Sequence, residues 1–298
     1  MYKKSFVISM LILSILSIAP ISDAFAAGIN TDVALPVRKG GFVFRSQLRW
    51  LRATDDPTPA DREINVLAVP NVLVFGATPD LSLFGILPFF FRHIESRDPS
   101  TGKKVDKDDS GVGDATILGR YTIYARDYPA GTARFALLGG IKLPTGDDDL
   151  EPITTDSIDF PLGWVSTVTW GFGRHEVDAD LAYRINTEAE DFERGDDLVY
   201  DLAYEFRVHP WTLPEVGAPN FLYLVAEANG IFSQKSELNS ETIDDSGGHI
   251  LFLSPGLQFA TKRFIFEASI QLPVIQDLNG SQVETDFILT GGFRVNLP

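Results

Sequence analysis

The stretch GVGDATILGRYTIYARDYPAGTARFALLGGIKLPTG, residues 111–146, decides the fold class of this chain. It contains two runs in which residue character alternates, joined by the turn sequence Asp-Tyr-Pro-Ala-Gly at 127–131. Successive side chains leave a strand on opposite sides, so an alternating run predicts a β-strand. Each run is about ten residues long, which is the length that a tilted membrane-spanning strand requires. We therefore predict a membrane-spanning β-hairpin here.

The same pattern recurs along the chain and predicts twelve strands in total. Besides the hairpin, the predicted strands are residues 41–52, 63–76, 81–92, 160–171, 175–186, 197–208, 221–232, 249–261, 263–274 and 284–297. Long acidic links alternate with tight turns, and the Pro-rich link 209–220 is the exception. Outer-membrane barrels have short periplasmic turns and long extracellular loops. The prediction is an all-β fold, a transmembrane antiparallel up-and-down β-barrel of about 12 strands.

The two faces of these strands differ in chemistry. One face is rich in Phe, Tyr, Trp and Leu, and the other carries charges of both signs. We expect the aromatic face to contact lipid and the charged face to line the lumen. The presumed lumen-lining residues are Arg45, Arg49, Asp114, Arg120, Arg134, Lys142, Asp178, Asp180, Arg184, Asp201, Glu205, Glu267, Asp286 and Arg294. A lipocalin-like barrel with the faces reversed stays open as the alternative.

The distribution of these charges suggests a further hypothesis. Basic residues concentrate on strands one and twelve and on the opening hairpin, whereas acidic residues concentrate on strands seven and eight. A basic arc that faces an acidic arc would create a transverse field across the lumen. The alternative is that the charges pair and fill the interior, as side chains do in small barrels.

The N-terminus has the features of a secretory signal peptide. Lys3 and Lys4 precede the apolar run 6–21, and Ala24-Phe25-Ala26 supplies a small-residue cleavage pattern. We predict a signal peptide at 1–26 and a barrel domain at 27–298, with the mature chain starting at Ala27 or Gly28. An uncleaved N-terminal anchor is the alternative, although the apolar run is shorter than a spanning helix requires.

Composition excludes several classes of function. The formal net charge is −16 and the chain contains no cysteine. The acidic balance disfavours nucleic acid as a partner, and the absence of cysteine removes disulfides and thiolate sites. The acidic clusters 106–109 and 147–149 lack the spacing of a calcium loop, so we interpret them as solvated loops. We expect no catalytic residues, no cofactor and no metal.

The hairpin also carries a family resemblance. Gly111-Val-Gly-Asp114, the strand end Arg120-Tyr121 and the segment Gly140-Ile-Lys-Leu-Pro-Thr-Gly146 resemble the phenol meta-degradation pathway family of outer-membrane transporters. That family is distantly similar to fatty-acid and aromatic-hydrocarbon channels. The resemblance implies a β-barrel and the passage of small, often hydrophobic, compounds. It implies no established substrate.

These observations together predict a channel in the outer membrane of a Gram-negative bacterium. Its function would be passive uptake of small, hydrophobic or aromatic compounds. The expected partners are outer-membrane lipid and lipopolysaccharide, the barrel-assembly machinery and a small-molecule solute. Two alternatives remain: a lipid-modifying barrel enzyme, for which Ser246, His249 and Asp244 or Asp245 form a compact grouping, and a plugged structural barrel without transport.

Overall fold

The computed structural model describes residues 28–98, 100–150, 153–215 and 220–297. The predicted signal peptide, 1–26, lies outside the described residues. No helix in the described ranges is long and apolar enough to cross a membrane. The strands are β1 (Phe42–Asp55), β2 (Glu63–Gly76), β3 (Leu81–Arg97), β4 (Lys104–Val112), β5 (Thr116–Tyr128), β6 (Gly131–Lys142), β7 (Phe160–Trp170), β8 (His175–Ile185), β9 (Phe192–Glu193), β10 (Asp197–His209), β11 (Phe221–Ser233), β12 (Glu237–Leu238), β13 (Glu241–Thr242), β14 (Gly248–Ala260), β15 (Phe264–Leu278) and β16 (Glu284–Leu297).

The main sheet closes on itself as an antiparallel barrel. β1 pairs with β16 on one side and with β2 on the other, and β2–β3 pairing completes the circuit. The wall has twelve strand positions, because β4 and β5 share one of them beside β3. β4 pairs with the C-terminal part of β3, residues 89–97, and β5 pairs with its N-terminal part, residues 81–86. The predicted twelve-stranded antiparallel barrel is therefore confirmed.

The aromatic and aliphatic face points outward. Leu48, Phe91 and Phe266 on three different strands are each more than half exposed, whereas Arg45 and Arg294 are 1% exposed. Exposed apolar surface of this extent costs about 25 cal/mol per Å² in water, so the outer surface suits hydrocarbon rather than solvent. The reversed, lipocalin-like orientation is wrong.

Two of the link predictions differ from the structure. Residues 95–110, one of the long links between predicted strands, contain most of β4, which pairs with residues 89–97 of β3. Two other long loops meet in a small sheet of β9, β12 and β13 above the same end.

Pro70 and Pro88, which lie within predicted strands, face each other directly across β2 and β3. Because neither proline has a backbone N–H, the ladder tolerates both at one level.

The lumen has an apolar side and a polar side. Apart from Ser82 and Arg92, the inner faces of β2 and β3 are apolar, which explains why these two strands read as nearly continuous apolar runs in the sequence. We call this lining, with the adjacent Leu118 and Leu138, the apolar side; its buried members include Ile64, Val66, Val72, Val74, Phe84, Ile86 and Phe90. The polar side comprises the inner faces of β1, β8, β10, β11, β15 and β16. At the long-loop end, apolar residues such as Leu51 and Ile250 continue around the barrel.

Candidate functional site

The chain before β1 folds back into the lumen. Residues 28–37, which we call the N-terminal segment, are mostly buried inside the barrel, with Ile29 and Val33 fully so. The backbone of this segment makes no ladder with the wall. Its amides and carbonyls are bonded instead by side chains of the surrounding strands, so the segment fills the lumen without becoming a strand of the sheet.

Arginine side chains of the wall donate to the carbonyl groups of the N-terminal segment. Arg120 on β5 bonds the carbonyls of Val33 and Leu35. Arg45 on β1 bonds the carbonyl of Ile29 at 2.6 Å, and Arg294 on β16 bonds that of Gly28 at 2.8 Å. A guanidinium has five donors in a rigid fork, so it can satisfy several carbonyls and still contact a carboxylate.

Acidic and hydroxyl side chains accept from the amides of the same segment. Glu227 on β11 accepts from the backbone N–H groups of Asn30 and Thr31 at 3.0 Å. Asp180 on β8 accepts from the N–H of Asp32 at 2.8 Å. The hydroxyls of Thr167 and Ser82 accept from Ala34 and Val37. Charged acceptors make the stronger hydrogen bonds of this set, because ionic partners roughly double the strength.

One carboxylate organises the arginines. Glu267 on β15 lies 2.7 Å from guanidinium nitrogens of both Arg45 and Arg294, and it accepts from Gln47 at 2.8 Å. All the side chains of this cluster are at most 4% exposed. Buried charges persist only when paired and hydrogen-bonded, and this cluster meets both conditions. The charges on this part of the wall therefore pair, as the second of the two sequence hypotheses states.

A second group of charges is arranged differently. Glu176 on β8 and Glu205 on β10 are directly opposite each other, and so are Asp180 and Asp201. Oxygen atoms of Glu176, Asp178 and Glu205 all lie within 4.8 Å of one another, and the three residues are buried. Oxygen ligands at this spacing could bind a hard cation such as Ca²⁺. Like charges directly opposite on a sheet repel, so this group needs protons or a positive partner.

The residues of the family resemblance build one loop. Asp114 lies between β4 and β5, and its carboxylate accepts from Lys142 at 3.0 Å and from the backbone N–H groups of Thr145, Gly146 and Thr155 at 2.9–3.1 Å. A β-carbon on Gly146 would lie 2.3 Å from the side chain of Thr154, so only glycine fits. The two motifs thus meet around one carboxylate and fix the loop between β6 and β7.

That loop closes the lumen at its outer end. It carries Leu150 and Ile153, both buried, into the apolar cluster with Phe90 of the apolar side. Between this loop and the N-terminal segment lies a cavity of about 90 Å³. Its lining includes Ile86 and Leu118 from the apolar side and Asp180 from the polar side. The cavity therefore has an apolar wall and a charged wall.

Most of the predicted lumen-lining residues lie on the inner face of the barrel. Buried positions are found for Arg45, Arg49, Asp114, Arg120, Asp178, Asp180, Glu205, Glu267 and Arg294, and partly buried ones for Arg134, Lys142, Arg184 and Asp201. Lys142 binds both Asp114 and Asp159. Arg184 lies beside Asp197 on the neighbouring strand, at 3.6 Å.

One of the presumed lumen-lining positions, Asp286, does not suit that role. Asp286 contacts Thr54 and Arg52, and Arg52 is on the outward face. The irregular pairing at Ala53 inserts an extra residue in β16, which turns Asp286 away from the lumen. Arg134 is on the inner face, directly opposite the buried Thr167 of β7, and it binds the exposed Asp127 near the β5–β6 turn. Because Arg120, Arg134 and Lys142 bind three separate partners, the hairpin does not form a continuous basic arc.

The Ser/His/Asp grouping does not assemble. The hydroxyl of Ser246 donates to the carbonyl of Ile243 and accepts from the N–H of Ser236, so it holds a loop together. His249 binds the hydroxyl of Tyr200 at 2.6 Å. The acidic cluster at 106–109 is likewise engaged, since Asp109 binds Arg92 and Asp108 binds His93.

The N-terminal segment was not predicted from the sequence. It has no periodicity, and its wall partners are as far as 266 residues away in the chain. The signal that was available is length: about fourteen residues separate the predicted cleavage site from β1, enough to span roughly 45 Å when extended. A polar turn, Asn30-Thr31-Asp32, also precedes the apolar residues 33–37.

A family model described as "Putative MetA-pathway of phenol degradation" matches residues 61–274, which is most of the barrel. The chain belongs to this family. The matched range contains both motifs around Asp114 but not the N-terminal segment. Among curated proteins, no sequence matches the chain.

Among the similar solved structures, an outer-membrane channel shows the same fold. An outer-membrane channel of Pseudomonas putida F1 superposes with a TM-score of 0.68 at 14% identity, covering 89% of this chain and 98% of that one. The β-domain of a Bordetella autotransporter has a TM-score of 0.47 at 10% identity, covering 87% of this chain and all of that one. The CymD monoaromatic hydrocarbon channel has a TM-score of 0.43 at 10% identity, covering 87% and 89%. Of these three likenesses, only the first is close enough to show the fold, a closed antiparallel β-barrel.

Proposed function

We propose that this protein is an outer-membrane channel for passive uptake of small, partly apolar compounds, aromatic ones included. The observation that carries the proposal is the apolar side of a lumen that is otherwise lined by charges. A purely hydrophilic pore has no need of buried Ile86, Phe84 and Phe90 on its inner face. The family description and the channel name of the Pseudomonas putida structure support the same function.

The geometry further suggests that the lumen is closed at rest. The cavity of about 90 Å³ is smaller than the ~150 Å³ space that accepts benzene in an engineered core. A solute of aromatic size therefore has to displace the N-terminal segment below the cavity or the β6–β7 loop above it. In this proposal the N-terminal segment is the closing element, and the charged wall positions it.

The other expectations belong to the same proposal. Export by the signal peptide delivers the chain to the periplasm, the assembly machinery inserts it, and lipid with lipopolysaccharide surrounds the aromatic outer face. A plugged structural barrel remains the competing function. A lipid-modifying enzyme has less support, because Ser246 and His249 bind different partners.

Uptake into liposomes tests the proposal. We expect vesicles that contain the protein to swell faster in aromatic acids than in sugars of similar size. Deletion of residues 28–36 should raise both swelling rates. If the apolar side alone selects the solute, the preference for aromatic acids over sugars should change little. If vesicles with the wild-type protein and vesicles with the shortened protein both swell at the rate of protein-free vesicles, the protein is a structural barrel instead.

A further inference from the structure

The carboxylates of Glu176, Asp178 and Glu205 form a buried pocket in the wall, which we call the acidic pocket. The three residues are at most 4% exposed, and one oxygen of each lies within 4.8 Å of the other two. Glu176 and Glu205 are direct cross-strand neighbours. Coulomb repulsion between close charges grows as the surrounding dielectric falls, so three carboxylates here are unfavourable without a cation.

The described part of the chain offers this pocket one nearby cation, Arg294, and one hydroxyl donor, Thr167, which bonds Asp178. Neither carboxylate oxygen of Glu205 accepts a hydrogen bond there, and neither does Oε1 of Glu176 or Oδ2 of Asp178. Arg294 attracts Glu176 and Glu205 but is shared with Glu267, so one cation serves several carboxylates. A buried charged group without a donor is costly, so the pocket has to take up protons or a second positively charged group.

The first described residue of the chain lies at this pocket. The backbone N–H of Gly28 bonds Asp178, and its carbonyl accepts from Arg294 at 2.8 Å. A β-carbon on Gly28 would lie 2.8 Å from Oε1 of Glu227 and 2.6 Å from Cβ of Thr31. The nitrogen of residue 28 thus bonds one carboxylate of the pocket, in a space where only glycine fits.

The sequence places the predicted signal-peptide cleavage at the same point. Cutting on either side of Ala27 converts a neutral amide nitrogen, at or one residue before Gly28, into a free α-amino group. An α-ammonium carries one positive charge and three N–H donors, whereas the amide it replaces offers one N–H and no charge. Processing would therefore create a cation beside the acidic pocket.

We propose that the α-ammonium of the mature chain occupies the acidic pocket and locks the N-terminal segment inside the lumen. This inference rests on the proposed role of that segment as the closing element and on the predicted cleavage. The ordering cost is small, because hydrogen bonds to Glu227, Asp180 and Arg120 already fix the rest of the segment. A divalent cation is the competing occupant, since it prefers the same oxygen ligands.

The test uses the mature protein in detergent. N-terminal sequencing should give Ala27 or Gly28 as the first residue. Brief acylation with a water-soluble amine reagent at pH 7, read by peptide mass spectrometry, should then modify the α-amine at least about tenfold more slowly than the exposed Lys39 and Lys262. These lysines are internal references in the same sample, so no variant has to fold for this step.

Two variants locate the protection. An insertion of four Gly/Ser residues before Gly28 moves the amine about 13 Å away, and acylation should accelerate about tenfold. The double variant Glu176→Gln, Glu205→Gln leaves the α-amine at its original position, and it should also accelerate acylation about tenfold. Asp127→Asn, at the exposed β5–β6 turn, is the matched control and should preserve the slow rate.

Three results would overturn the inference. The first is a mature chain that starts well away from residues 27–28. The second is an α-amine that reacts as fast as Lys39. The third is one equivalent of tightly bound divalent metal whose removal by chelation loosens the N-terminal segment. None of these readouts depends on solute transport, so a barrel that passes nothing but protects its α-amine refutes the proposed function and leaves this inference standing.

Discussion

The polar and apolar sides of the lumen use their side chains for different purposes. On the polar side, Arg45, Glu227 and Asp180 are engaged with the backbone of the N-terminal segment or with each other. On the apolar side, Ile86 and Leu118 face the cavity and pack in one cluster with Val37 of the segment. The comparison indicates that the polar side fixes the closing element mainly by hydrogen bonds, whereas the apolar side contacts its end by packing and presents a surface for a solute.

The same comparison explains the arrangement of charge. Extended backbone presents N–H and C=O groups to alternate sides, so a segment that fills a barrel needs donors and acceptors around it. Arg120 supplies donors and Glu227 supplies an acceptor. The mixed-sign charges that suggested a transverse field in the sequence therefore have a direct structural use, because they satisfy the backbone groups of a segment that pairs with no strand.

The largest effect is expected from Glu267→Gln on the polar side. It leaves Arg45 and Arg294 as two buried guanidiniums without their carboxylate. Breaking a buried charge pair by removing one partner costs about 3–5 kcal/mol. The barrel should lose its heat-resistant gel mobility at a distinctly lower temperature. Asp127→Asn, which breaks the exposed pair with Arg134, is the control and should change the transition little. An unchanged transition for Glu267→Gln would show that the polar side is not held by this cluster.

The next effect is expected from Arg120→Ala. This change removes both hydrogen bonds to the carbonyls of Val33 and Leu35 without touching the Glu267 cluster. Each charge-assisted bond contributes roughly 1.5–3 kcal/mol, so the N-terminal segment should leave the lumen for a larger fraction of the time. Single-channel conductance in planar bilayers should show longer or more frequent open states. The control Arg134→Ala, near the β5–β6 turn, should give recordings like those of the wild type. If both variants behave alike, Arg120 has no specific role in gating.

The fold could be predicted from the sequence because strand alternation is a local property. The hairpin at 111–146 and the outward aromatic face depend on a period of two, which needs no knowledge of partners. The N-terminal segment depends on long-range contacts such as Gly28 with Arg294, and no local pattern encodes them. Asp286 was misplaced for a related reason: a bulge in β16 changes which face a residue occupies, and the bulge depends on pairing with β1.

The apolar side shows a second limit of sequence reasoning. Strands β2 and β3 are apolar on both faces, so alternation there could not distinguish a lipid-facing residue from a lumen-facing one. The structure places Leu87 outward, at 39% exposure, and Ile86 inward, at 8%. Neighbouring residues of similar volume therefore provide a matched pair for testing which face contacts the solute.

Ile86→Thr and Leu87→Thr are expected to differ in selectivity. A hydroxyl on the inner face weakens contact with an apolar solute by about 1 kcal/mol, which corresponds to about a fivefold change. The ratio of aromatic-acid to sugar uptake in liposomes should fall by that factor for Ile86→Thr and stay near the wild-type value for Leu87→Thr. A ratio that falls equally in both variants would assign selectivity to the outer surface instead of the apolar side.

The smallest effect concerns the loops that cover the apolar side. Asp56, just after β1, binds Arg62 at 2.7 Å, and Arg62 also bonds the carbonyl of Ser281 in the loop before β16. Burial would by itself raise the pKa of Asp56, but hydrogen bonds from Arg62 and Thr58 outweigh it and lower the pKa from 3.8 to about 2. A carboxyl with a depressed pKa stabilises the folded loops fully above about pH 4 and loses that contribution as the pH falls toward 2.

Limited digestion with an acid protease measures this effect. Cleavage within residues 56–62 should be constant from pH 5 to about pH 4 and should accelerate between pH 4 and pH 2, as Asp56 becomes protonated. Arg62→Gln, which lacks the ion pair at every pH, should be cleaved faster at pH 5 and show a shallower rise. If wild type and Arg62→Gln respond identically, the loops over the apolar side are held by their buried residues Ile64 and Val283 and not by this pair.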